Sequence, residues 1–226
     1  METKISSGSD VMDWLLEGGY EKDSITTIYG PAGSGKTNLC LVCIAKSVKD
    51  KKILYIDTDG SFSISRFKQI CPNFKEALER VIFLNPTNYE EQKKAFSILR
   101  RTISDKFGLV VFDSVAMLYR IEVGKNQDIY KVNKELAVQI GLLSEIARKK
   151  NIPILITNQV YADFEDREKV NMVGGDLLKY QSKCIIELKK MGNGIREAII
   201  RKHRSIEEGK TIKFKINDTG IVEIVE

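Results

Sequence analysis

One histidine and one tryptophan stand among 226 residues, and no stretch of eighteen consecutive apolar residues occurs anywhere. His203 therefore has no companions for a histidine metal centre and reads as a strand or turn residue. Without a long apolar run there is no candidate membrane span, and Met1-Glu2-Thr3-Lys4-Ile5 lacks the apolar segment of a signal peptide. These absences predict a cytoplasmic protein with no membrane contact. The four cysteines, Cys40, Cys43, Cys71 and Cys184, form no strong metal or disulfide pattern. Cys40 and Cys43 are spaced Cys-x-x-Cys, but inside an apolar helical stretch, where buried free thiols are expected. Prolines number only four, and no internal repeat is present. At 42% hydrophobic and 30% charged, the composition is that of a globular chain large enough for its own core. One α/β domain spanning 1–226 is expected. The formal charge of +5 permits a nucleic-acid partner without demanding one.

What the chain does contain is a complete P-loop, Gly30-Pro31-Ala32-Gly33-Ser34-Gly35-Lys36-Thr37. Ile25-Thr26-Thr27-Ile28-Tyr29 reads as the strand before it, and residues 38–48 as a long apolar helix after it. The glycines let the backbone curl until its N–H groups and the helix N-terminus face one anion. Lys36 then reaches the β- and γ-phosphates, and Thr37 offers its hydroxyl to Mg²⁺. That flanking context favours nucleotide binding over an incidental Gly-rich turn.

Elsewhere the pattern is of strands that deliver polar residues to one sheet edge. Residues 1–24 form a short approach, with a helix near 10–16 that places Val11, Leu15 and Trp14 on a packing side and ends at Gly18-Gly19. Strand 53–56 delivers Asp57-Thr58-Asp59-Gly60; each aspartate either caps the following turn or serves a Mg²⁺ shell and an attacking water. Helical sequence over 62–80 breaks near Pro72, strand 81–84 follows, and a helix from Tyr89 to Lys106 aligns Phe96, Leu99 and Ile103. Leu109-Val110-Val111-Phe112-Asp113 ends in an acid placed to hold Mg²⁺ opposite Thr37. Residues 115–131 look like a mobile loop. A helix over 132–150 carries a core face of Val132, Leu136, Ile140, Leu143 and Ala147, and strand 152–156 delivers Thr157-Asn158-Gln159. Residues 160–178 again look loop-like. Short strands then extend one sheet edge, and from Lys179 to Lys215 eleven Lys and Arg face four Asp and Glu, a distribution that suits a polyanion.

Taken in order, the P-loop, Tyr55-Ile-Asp-Thr-Asp-Gly-Ser-Phe62, Leu109-Val-Val-Phe-Asp-Ser114 and Ile156-Thr-Asn-Gln-Val160 resemble the RecA-like recombinase core. The likeness runs through essentially the whole chain and is greatest to the archaeal RadA and RadB group. It implies an α/β fold with a mostly parallel central sheet flanked by helices and a C-terminal antiparallel extension. It also implies the absence of RadA's N-terminal helix-hairpin-helix domain and polymerisation linker. By resemblance, residues 30–37 with Asn38 hold ATP, Thr37 and Asp113 hold Mg²⁺, and Arg66 packs on the adenine unless it is a surface arginine. Lys36, Asp59 and Gln159 become the catalytic set. Asp59 stands where these recombinases carry a glutamate, so slow hydrolysis is expected. The family's two DNA loops fall near 119–130 and 160–175. Arg120, Lys125, Arg201, Lys202 and Arg204 are the nucleic-acid candidates, while Asp163, Glu165, Asp166 and Glu168 weaken the second loop. Lys202 and Arg204 also resemble the Lys-x-Arg pair that reaches a neighbouring subunit's γ-phosphate in bacterial RadA/Sms and hexameric helicases; a basic strand edge is the other reading. The expected function is an ATP-binding, weakly hydrolysing, DNA-binding accessory protein of homologous recombination and repair. Its partners would be single-stranded DNA, with branched DNA a further candidate, a recombinase or other repair protein, and a weakly associating second copy. A RecA-like regulatory or structural ATPase acting on proteins is the alternative.

Overall fold

A computed structural model describes residues 3–48, 50–125, 128–162, 170–172 and 174–224. The chain opens with β1 (Lys4–Ile5), α1 (Asp10–Leu15) and β2 (Tyr20–Glu21), and β1 pairs with β2 in a small antiparallel sheet. There follow β3 (Ile25–Gly30), α2 (Lys36–Lys46), β4 (Lys52–Asp57), α3 (Ile64–Ile70), α4 (Phe74–Glu79) and β5 (Val81–Leu84). Next come α5 (Tyr89–Thr102), β6 (Phe107–Asp113), α6 (Ala116–Lys125), α7 (Ile129–Lys150), β7 (Ile154–Ala162) and β8 (Val170–Met172). The chain finishes with α8 (Gly175–Gln181), β9 (Cys184–Gly192), β10 (Ile195–Lys202), β11 (Thr211–Asn217) and β12 (Gly220–Glu223).

The strands build one sheet in the order β12-β11-β10-β9-β3-β7-β6-β4-β5, with β8 paired to β7. From β9 to β5 every pairing is parallel, and β10 to β12 add antiparallel strands beyond β9. This is the RecA-like architecture expected, antiparallel extension included. The parallel strands are apolar on both faces because helices cover both. Successive side chains divide between two cores: Ile53, Tyr55, Leu109 and Val111 pack on the α2 side, while Leu54, Ile56, Val110 and Phe112 pack against α5 and α7. All five residues of the expected face on α7 are buried.

Four expectations need correction. The stretch 115–131 is no loop. Among its described residues α6 runs to Lys125 and α7 starts at Ile129, capped by Asp128, whose carboxylate accepts from Lys131 N at 3.0 Å. Ala116 and Leu118 are buried and Tyr119 and Val123 pack beside Val132, so apolar spacing outweighs the single Gly124. Residues 160–178 are likewise partly regular: β7 continues to Ala162, β8 returns against it and α8 follows, whereas the acidic run 163–169 lies outside the described residues. The helix from Tyr89 stops at Thr102 instead of Lys106. Trp14 is not a packing residue: Met12 and Leu15 fill the core, and Trp14 is 62% exposed with Lys210 Nζ 4.7 Å above its ring.

Candidate nucleotide site

The site forms where β3, β7, β6 and β4 end side by side, the edge at which open α/β sheets hold ligands. Gly30 closes β3 in register with Gln159 on β7, and Asp57 closes β4 in register with Asp113 on β6. Only glycine fits at Gly30, because a Cβ there would lie 2.4 Å from the carbonyl oxygen of Leu188 on β9. At Gly35, with φ +107°, a side chain would strike Ile216 at 2.8 Å. Pro31, Ala32 and Gly33 turn the chain between those two positions into α2.

Lys36 is buried and folds back on its own loop, donating to the carbonyls of Gly30 at 2.9 Å and Pro31 at 3.0 Å. Burial lowers its pKa against the opposing pull of Asp113 and Asp59. Asp113 is the centre of a hydroxyl shell. Thr37, Tyr55 and Ser61 each donate to its Oδ2 at 2.8 Å, and Thr157 donates to Oδ1. Burial, reinforced by Asp113, pushes the Tyr55 phenol far up, so it remains a donor. Asp57 caps the next turn, accepting the N–H groups of Ser61 at 3.0 Å and Phe62 at 3.1 Å. Its neighbour Asp59 turns inward, accepting from Gln159 Nε2 at 3.2 Å and from Ser114 Oγ at 3.2 Å. Burial and the nearby Asp113 raise its pKa above the ordinary aspartate value.

Thus Lys36, Thr37, Asp113, Asp59 and Gln159, widely separated in sequence, meet at one edge. Arg66 joins them from α3, where Ser63 caps the helix: Nε donates to Asn38 Oδ1 at 2.7 Å and Nη1 to Gln69 Oε1 at 2.9 Å. Three buried donors around the P-loop have no acceptor: Ser34 Oγ, Arg66 Nη2 and Arg196 Nε. Sequence reasoning missed Tyr55, Ser61 and Thr157 as the Asp113 shell; hydroxyls at the ends of adjacent strands were the available signal. It also missed Arg196, more than 150 residues beyond the P-loop it approaches, for which no local signal exists.

The other candidates lie elsewhere. Arg120 on α6 borders a cleft of about 290 Å³ shared with Met117, Ile121 and Gln159, and Lys125 ends that helix. The basic cluster that ends β10 runs from mid-sheet to the edge opposite the site: Glu187, which Arg201 holds, is in register with Tyr29, Lys202 pairs with Ile185, in register with Thr27, and Arg204 reaches residues ahead of β3. There Arg201 grips buried Glu187, Arg204 grips Glu21 at 2.8 Å and Asp23 at 2.6 Å, and Lys202 donates to the Lys179 carbonyl.

A family model described as Rad51 matches residues 2–224. The chain is 41% identical over 227 residues to the DNA repair and recombination protein RadB of Methanobrevibacter smithii, covering 97% of this chain and 95% of that one. The chain belongs to the RadB family. A second RadB, from Methanocaldococcus jannaschii, is 41% identical over 218 residues, covering 94% and 98% of the two chains. A crystal structure of the RadB recombinase superposes with a TM-score of 0.84 at 35% identity, over 97% of this chain and 99% of that one. This RadB-family chain therefore carries a RecA-like P-loop NTPase core. Among its described residues no helix is long and apolar enough to cross a membrane.

Proposed function

We propose that the chain binds ATP with Mg²⁺, hydrolyses it slowly, and acts on DNA beside a recombinase in homologous recombination and repair. One observation carries the nucleotide part: two buried donors at the P-loop, Ser34 Oγ and Arg196 Nε, have no acceptor, and neither has Arg66 Nη2 on the guanidinium that bonds Asn38, and phosphate, ribose and base atoms supply acceptors. Thr37 and Asp113 would hold the metal, an oxygen-only pair suited to a hard cation. Bound Mg²⁺ supplies neutralising charge at the phosphates.

Lys36 would leave the carbonyls of Gly30 and Pro31 for the phosphates. Asp59, its basicity raised by burial, would take the proton of the attacking water. Its carboxylate is already engaged by Gln159 and Ser114 and is one methylene shorter than a glutamate, so the water is loosely held and turnover is slow. Gln159, bonded to Asp59 and bordering the Arg120 cleft, would relay nucleotide state to a DNA contact. The relatives' names, DNA repair and recombination protein RadB, support the recombination setting.

The test is ATP titration by calorimetry, then single-stranded DNA binding at low and physiological salt. Affinity for ATP and a steep salt dependence for DNA are expected. Absence of ATP binding would remove the whole reading. Salt-insensitive or absent DNA binding would favour the second reading, an ATPase acting on proteins. That reading draws on the carboxylates that already occupy Arg201 and Arg204. The Lys202/Arg204 pair acts at a neighbour's nucleotide only if Arg204 exchanges Glu21 and Asp23 for phosphate. Recovered turnover on mixing Lys36→Ala with Lys202→Ala/Arg204→Ala subunits would support such an exchange.

A further inference from the structure

The hairpin joining β9 and β10 turns through Asn193 and Gly194, both at positive φ, as a two-residue hairpin turn requires. It returns the chain directly over the P-loop. Lys190 and Arg196 are cross-strand partners in it, so both side chains leave the same face of the sheet. Lys190 Nζ stands 3.8 Å from where a Cβ on Gly33 would lie, and Arg196 Cδ and Nε stand 3.6 and 3.8 Å from the corresponding point on Gly35.

Neither cation has an anionic partner among the described residues. Arg196 Nη1 donates to the Gly194 carbonyl at 2.8 Å, whereas Nη2 reaches the Gly33 carbonyl only at 3.5 Å and Nε is buried with no acceptor. Nε and Nη2 form the edge of a guanidinium that grips two oxygens at once. Like charges directly opposite on a sheet repel, and the N-terminus of α2 adds positive potential at the same place. Three positive elements converge there on a space that contains no carboxylate bonded to any of them.

We propose that Lys190 and Arg196 form a phosphate clamp acting on the same chain's P-loop. On binding a nucleoside di- or triphosphate, the open edge of Arg196 exchanges the Gly33 carbonyl for phosphate oxygens and Lys190 neutralises the same group, drawing the hairpin onto the loop. The clamp rests on the nucleotide reading above and adds a selection it does not contain: discrimination against nucleoside monophosphates, which present too little charge to hold the hairpin.

The test titrates fluorescent ATP, ADP and AMP analogues against the full chain and its Arg196→Ala, Arg196→Lys, Lys190→Ala and Lys36→Ala variants, with thermal midpoints recorded for each. Arg196→Ala should weaken ATP and ADP roughly tenfold or more, leave AMP within about twofold, and keep its thermal midpoint. Arg196→Lys should recover part of the loss, since it keeps charge but not the fork. Losses in Arg196→Ala and Lys190→Ala should not add in the double variant, because both cations grip one group. Wild-type affinity for ATP and ADP in Arg196→Ala, or an equal loss for all three nucleotides, overturns the clamp. Should Arg196→Ala fail to fold, the same comparison is read from Arg196→Lys and Lys190→Ala. If Lys36→Ala loses nucleotide while both clamp variants bind like wild type, the clamp alone fails. If the wild type binds none, the nucleotide reading and the clamp fall together.

Discussion

The P-loop edge and the basic cluster that ends β10 use the same residue types in opposite ways. At the P-loop end, Lys36, Arg66 and Arg196 lean on neutral carbonyls and amides, and two of the three leave a guanidinium nitrogen with no acceptor. In the basic cluster, Arg201 and Arg204 are held by Glu187, Glu21 and Asp23, and Lys210 is held by Glu17. A charge count merges the two groups, although one is poised for an anion and the other has its anions already. Basic residues should therefore be sorted by what they touch before a surface is assigned to DNA or to phosphate.

The sharpest break of this contrast is Lys36→Ala. At the P-loop end, loss of the cation should cut turnover by more than about a hundredfold while circular dichroism and the thermal midpoint stay near wild type. A wild-type rate in the variant would place the chemistry elsewhere. Next is Asp59→Asn, expected to lower turnover roughly ten- to a hundredfold with ATP affinity kept. Because burial and Asp113 raise the Asp59 pKa in the folded state, its stabilising contribution exists below the unfolded pKa and is lost as pH rises through the folded one. The Asn variant should accordingly melt higher than wild type at neutral pH, and the gain should shrink on acidification. The acid limb of wild-type turnover should also lie above the ordinary aspartate range. Equal midpoints at neutral pH would show that the Asp59 carboxylate carries no electrostatic strain in the fold.

In the basic cluster the balance reverses. Arg204→Ala should leave nucleotide affinity unchanged and destabilise the fold by about 1–2 kcal/mol, since Glu21 is buried and loses its partner while half-exposed Arg204 is screened by water. Denaturant unfolding checks this; a nucleotide defect without destabilisation would move Arg204 to the other group. The smallest effect belongs to His203. Its buried ring accepts the N–H groups of Ser205 and Ile206 at 3.1 Å through Nδ1, which requires that nitrogen unprotonated. Burial lowers its pKa despite Glu21 and Glu17, with Lys4 and Arg204 adding to the shift. Its contribution is thus present above the unfolded pKa and lost as pH falls through the folded value. His203→Asn, which retains an acceptor but does not titrate, should flatten the melting profile below neutral pH.

Much of this was legible in the sequence. The parallel strands announced themselves as apolar runs ending in polar residues, and Gly30 to Thr37, Asp59, Asp113 and Gln159 stand where their positions at strand ends predict. What stayed hidden had physical causes. Helix α6 was masked because Arg120, Glu122 and Gly124 give 116–125 a loop-like composition while its contacts with Tyr89 and Val132 are tertiary. Trp14 escapes a local reading because a six-residue helix leaves its burial to neighbours: α1 packs beside β11 and β12, Met12 and Leu15 join the core, and Trp14 is left on the rim of a cleft shared with Thr211 and Lys213. Pairing of Arg201 and Arg204 with Glu187, Glu21 and Asp23 depends on contacts across 14 to 183 residues, beyond any local window.

One feature of the sheet bears on how the protein is made. Strand β3, which carries the P-loop, is flanked by β7 and β9 and by nothing synthesised near it. A nascent chain on the ribosome holds that apolar strand with both edges unpaired until residue 154 emerges, and with one edge unpaired until residue 184. Strands in that condition are the ones that pair with the wrong neighbour. The proposed nucleotide pocket is accordingly among the last parts of the molecule to close, and a nucleotide would find no complete site to stabilise until most of the chain has been translated.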